Sequence, residues 1–116
     1  MTEAIQRKCL NIVDAIIAGE GEGPMEPDAR LCGLLVGGVN AVAIDAILST
    51  IIGFDYKKIP IIAEAFGIVD RPLVNFGPTE VEIRSNDSYW NSLKLGIPWK
   101  EFCFAPPSGW YGHIES

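Results

Sequence analysis

The chain has 116 residues, 48% hydrophobic and 21% charged, an ordinary composition for one globular domain around a single core. Its formal net charge of −6 argues against nucleic acid or an anionic membrane surface as a partner, since both are bound through a basic footprint. Cys9, Cys32 and Cys103 are widely spaced and His113 is the one histidine, so no zinc set or iron-sulfur cluster motif is encoded.

The odd cysteine count, and a start (MTEAIQRK) without a charged-apolar-small leader, predict a reducing, cytoplasmic setting with free, buried thiols. Thr2 is placed to cap a short surface helix through about Lys8, with Glu3 early and Arg7 and Lys8 late, as the helix dipole favours. The run LNIVDAII (Leu10 to Ile17) then reads as a strand. Alternation puts Leu10, Ile12, Asp14 and Ile16 on one face and Asn11, Val13, Ala15 and Ile17 on the other. Both faces are mostly apolar, which predicts a central strand covered on both sides, with Asp14 the exception.

AGEGEGPMEPDA (Ala18 to Ala29) reads as a loop. Gly19, Gly21 and Gly23 alternate with Glu20 and Glu22, and Pro24 and Pro27 stiffen the exit. It lacks the spacing of a phosphate loop, and its carboxylates would repel an anion; a cation or a donor-rich ligand suits it better. A second strand, RLCGLLVGGV (Arg30 to Val39), opens directly into the apolar helix NAVAIDAILSTIIG. Asn40 is a natural N-cap and Gly53 a natural residue just past the C-terminus. The window Gly33 to Phe54 is long enough to suggest a membrane span, but Asp45 near its middle and Gly37, Gly38 and Asn40 at a strand-to-helix turn point to a buried strand and helix instead.

Pro60 begins a second predicted helix that ends at Gly67, with Ile61, Ile62, Ala65 and Phe66 as its buried stripe. VDRPLVNFGP is a connector with room for a short extended piece at Leu73 to Phe76. TEVEIR (Thr79 to Arg84) alternates Val81 and Ile83 against Glu80, Glu82 and Arg84, the pattern of a one-sided edge strand. Asn86 or Asp87 can cap a short helix through about Leu93 that turns Tyr89, Trp90 and Leu93 inward. Beyond Gly96 the chain is an irregular tail rich in proline, glycine and aromatics. Its Trp99, Phe102, Phe104, Trp110 and Tyr111 are expected to cover the sheet or reach a neighbouring chain. The predicted architecture is α/β: a small mixed sheet of about three to four strands packed by two or three helices, in one domain spanning residues 1–116.

Taken in order, IVDAIIAGEGEGP, GLLVGGVNAVAIDAILSTIIGF and IPIIAEAFG resemble the C-terminal part of the domain of unknown function 362 family. The matching positions are Asp14, Glu20, Gly23, Pro24, Gly38, Asn40, Asp45, Gly53 and Phe54, over about half of the chain. The resemblance implies an α/β fold and a redox or metabolic setting. Family members are typically longer, with an N-terminal portion and, in many, ferredoxin-like cysteine motifs that hold iron-sulfur clusters. This chain has neither, so it resembles a fragment or reduced version of that domain, with no cofactor of its own.

The leading functional expectation is a ligand- or partner-binding module of a larger, iron-sulfur-associated protein. The ligand-binding candidates are Asp14, Glu20, Glu22 and Asp45, with loop and turn backbone from Gly19, Gly21, Gly23, Gly38 and Asn40. Asp45, in an otherwise apolar helix with Ser49 one turn on, is expected to tie the acidic loop to the helix, and with Asp14 or Glu20 to be able to hold a divalent cation. Two alternatives stand beside this: a small enzyme or metal-dependent catalytic domain using the acidic loop, and a structural oligomerisation domain. Catalysis is left open, because His113 lies near the C-terminus with no nucleophile written beside it. The expected partners are a second copy of the chain or the N-terminal region of a longer protein.

Overall fold

The computed structural model describes residues 9–23, 25–67, 74, 77, 80–95, 97, 99 and 102–115. The N-terminal helix and the extended piece at 73–76 fall wholly or mostly outside these. The dominant element is an antiparallel hairpin of β1 (Asn11–Glu22) and β2 (Glu26–Gly38). The stretch read as a loop is therefore mostly strand: β1 runs on through Gly19 to Glu22, and Gly21 pairs with Pro27 and Glu22 with Glu26. Gly21 takes a φ of +83°, which an L side chain rarely adopts, so this glycine serves the backbone at the far end of a long hairpin.

One irregularity sets the faces of the hairpin. Ala15 pairs with Leu34 but Ile17 pairs with Leu31, so β2 carries one extra residue there, and Gly33 takes a φ of +69° to accommodate it. The phase of β1 changes at that point: Asn11, Val13 and Ala15 and then Ala18 and Glu20 lie on the half-covered face. Ile17, expected opposite Ile16, is instead exposed alongside it.

α1 (Ala41–Ile51) follows β2 after a single turn. The Asn40 side chain accepts the amide of Ala43, Ile52 closes the helix, and Gly53 leaves it at φ +89°. Ile44, Ala46, Ile47 and Ile51 are its buried positions, and the buried Ser49 and Thr50 hydroxyls donate to the carbonyls of Asp45 and Ala46 one turn back. α2 (Pro60–Ala65) starts on its proline as expected. Of its predicted stripe Ile62 and Ala65 are buried and Phe66 packs beside them, whereas Ile61 points to solvent.

Two small cores result, both on α1. Ala46, Tyr56 and Ile62 form one; Ile47, Ile51 and Leu93 form the other, flanked by Leu34, Val81, Ile83, Trp99 and Phe102. A 3-10 turn at Ser88–Ser92, capped by Asp87 accepting the Tyr89 amide, replaces the helix expected there and seats Leu93. The architecture is mixed α/β, but the sheet described has two strands, not three or four. Val81 and Ile83 do face inward with Glu80, Glu82 and Arg84 outward, yet residues 81–85 join no ladder.

Candidate functional site

Glu20 and Glu22 sit at the turn end of the hairpin, where they hold the aromatic tail. The Glu20 Oε2 accepts from Arg30 Nη1 at 2.9 Å and from the Ala105 amide at 2.8 Å, and the Gly21 amide donates to the Ala105 carbonyl at 2.7 Å. Glu22 Oε1 accepts the Ser108 amide. Arg30 completes the corner: it reaches the Cys103 carbonyl at 3.3 Å and lies 5.1 Å from the ring centre of Phe104. Phe104 continues into a run of rings through Phe102, Trp90 and Trp99, with neighbouring centres 5.7 to 6.4 Å apart.

The same tail closes on the end of α1. Phe104 donates its amide to Ile52 O, Asp55 donates to Ile114 O, and Phe54 bridges Glu115. Phe104 and Ile114 are buried, while Trp110 and Tyr111 remain exposed. A Cβ on Gly53 would lie 2.9 Å from the Phe102 carbonyl oxygen, so that glycine also permits close approach of the tail.

The four acidic candidates are not brought together. Asp14 pairs with Leu35 and Glu20 with Asp28, six residues apart along β1, or about 20 Å at 3.3 Å per residue. Asp14 also lies on the opposite, exposed face, where its Oδ1 accepts the Ile16 amide at 3.1 Å. Asp45 is exposed on the solvent side of α1, so the expected tie from this helix to the acidic stretch is not made by its side chain; Glu20 and Glu22 make the tie, and to the tail. Among the described residues no three of His, Cys, Asp and Glu converge as metal ligands. Gly38 lies against α1, with Ile44 carbons 3.2 Å from where its Cβ would stand, so Gly38 and Asn40 shape the strand-to-helix turn.

Two surfaces that the residue pattern did not single out stand clear instead. The outer face of the hairpin, extended by Val39 just past β2, carries Ile12, Ile16, Ile17, Leu31, Leu35 and Val39, from 47% exposed at Ile16 to 81% at Val39. Asp14 is the carboxylate that lies among them. The second is a cleft of about 830 Å³ between β2, α1 and the extended segment at 80–87. The apolar content of both strand faces was the available signal for the first; the unpaired alternation of TEVEIR was the signal for the second.

No family model matches the chain, and no solved structure matches it. A thylakoid-associated protein of Synechocystis sp. (strain ATCC 27184 / PCC 6803 / Kazusa) is 41% identical over 54 residues, which make up 47% of this chain and 17% of that protein. The chain thus spans well under two thirds of that relative. No helix among the described residues is long and apolar enough to cross a membrane.

Proposed function

We propose that the chain is a protein-binding α/β module whose outer hairpin face seats an amphipathic helix from outside this chain. The single observation that carries this reading is the row of six large aliphatic side chains left open on that face. Burying one such side chain contributes roughly 1.5 to 3 kcal/mol, so six represent roughly 9 to 18 kcal/mol of gross driving force, and monomeric proteins rarely leave a patch of this kind uncovered. The opposite face already carries α1, and a sheet apolar on both faces is ordinarily covered by helices on both.

Asp14 decides the chemistry of the partner. A second copy packed face to face would bury two carboxylates, and among the described residues the face contains no lysine or arginine to pair with them. A helix with an apolar stripe and one lysine or arginine near its middle satisfies both the patch and Asp14. The resemblance to the longer domain of unknown function 362 family, and the partial match to a longer relative, support such a helix lying in another region of a larger protein.

Calorimetric titration with a designed helix of this kind tests the reading. The lysine-bearing helix should bind, its glutamate counterpart should bind at least tenfold more weakly, and Asp14→Lys should reverse that order. Equal binding of both helices, or none by either, refutes it.

A further inference from the structure

A second surface adjoins the outer hairpin face, sharing Leu35 and Val39 with it but not Asp14. The sheet order is β1-β2, so one edge of β2 presents backbone donors and acceptors that no described strand takes up. The 830 Å³ cleft runs along that edge. It is lined by the uninterrupted runs 33–40 and 80–87, together with Ile44, Ile47 and Trp90 among others. Walls made of consecutive residues are main chain with side chains alternating in and out. On the second wall Gly77 O, Asn91 Oδ1 and Ser85 Oγ already hold the amides of Glu80, Ser85 and Asp87, which leaves the stretch 81–84 facing the edge of β2 with a run of main chain, unlike the few convergent polar groups of a small-molecule pocket.

The segment 81–85 fits the same picture. Val81 and Ile83 pack on Ile47, Ile51 and Leu93, the cluster that Leu34 of β2 also flanks, so the segment and β2 lie beside each other on one helix without pairing. It carries the alternation of a strand but has no ladder. We propose that the cleft receives one extended segment of a partner protein, which adds to the free edge of β2 and completes a sheet with residues 80–85 on its far side. Main-chain pairing supplies the affinity, as in other cases of strand addition.

The occupant's side chains follow from the walls. Alternate residues meet Ile44 and Ile47 and must be apolar. The others emerge beside the exposed Glu80 and Glu82, with Arg84 and Asp87 at the same rim, where the excess of carboxylates selects lysine or arginine. About six residues at 3.3 Å each match the length of 80–85. The partner segment is therefore a six- to seven-residue strand alternating apolar and basic residues.

The test uses synthetic heptapeptides: one alternating lysine with valine and isoleucine, its glutamate counterpart, and the lysine peptide N-methylated at alternate residues in each of the two phases. Binding is followed by backbone amide spectra and hydrogen exchange. The lysine peptide should bind and slow exchange of amides within 33–39, and one phase of N-methylation should weaken it at least tenfold. Glu80→Lys combined with Glu82→Lys, both exposed, should keep the circular dichroism spectrum and move the preference at least tenfold towards the glutamate peptide. Absence of binding, binding indifferent to N-methylation and charge reversal, or protection of the edge by a second copy as concentration rises without any peptide, each overturns the proposal. Failure of the helix titration at Asp14 leaves these readouts untouched.

Discussion

Glu20 is the residue on which the hairpin and tail meet, because one carboxylate oxygen serves both a guanidinium and a main-chain amide. Removing it strands the Ala105 amide and loosens Arg30, and a charged hydrogen-bonding partner of this kind is worth about 1 to 3 kcal/mol. Glu20→Ala should therefore lower the melting temperature by about 4 °C or more, on the usual scaling for a domain near 100 residues. Asp45→Asn, on an exposed side chain, should stay within about 0.5 kcal/mol of the parent. Urea denaturation of the two variants in parallel checks both; equal losses would place a hidden contact at Asp45. Cys32 gives a pH-dependent counterpart. Burial pushes its thiol above the ordinary value of 9.0, Arg30 opposes this, and Glu20 adds to it. A raised folded pKa means that the contribution to stability is complete below 9.0 and is lost as pH rises through the higher folded value. Iodoacetamide labelling followed by mass spectrometry at pH 8 should modify the exposed Cys9 and Cys103 well before Cys32, with the Cys32 rate still climbing above pH 9.

At the level of elements, two glycines of the same left-handed conformation separate strain from crowding. Gly33 at φ +69° has open space where a Cβ would stand, whereas at Gly53, φ +89°, a Cβ would lie 2.9 Å from Phe102 O and 3.3 Å from Cys103 Cα. Alanine at either site carries the left-handed cost of roughly 1 to 2 kcal/mol. Gly53→Ala must in addition push the tail off the end of α1, so it should be the more destabilising of the two in urea titrations, and it alone should redshift the tryptophan emission as the Trp90–Trp99–Phe102 stack opens. The start of α1 needs no such test of placement: Asn40 caps Ala43 where the strand-to-helix junction was expected, because capping depends on a side chain three residues from its partner.

For the molecule as a whole, the outer hairpin face is available surface and, among the described residues, joins neither core cluster. Leu35→Lys should accordingly leave the unfolding free energy from urea titration within about 0.5 kcal/mol of the parent, while reducing binding of the apolar dye ANS; a clear loss of stability would mean that the face is covered within the chain. Local chemistry written over a few residues was legible in the sequence: the two apolar strands, the caps of α1, the proline start of α2, and the in-out alternation of Val81 and Ile83. These rest on neighbours one to four positions apart. What depended on distant partners was decided only by the tertiary structure. The extra residue at Gly33 accompanies the shift of Ile17 to the open face, pairing with residues 26–31 makes an apparent acidic loop the end of a hairpin whose Glu20 and Glu22 hold tail amides, and the stretch with the clearest strand pattern pairs with no described strand. A strand needs a second chain segment for every one of its hydrogen bonds, and a carboxylate takes its role from whichever donors arrive, so neither outcome is written within reach of the residue itself.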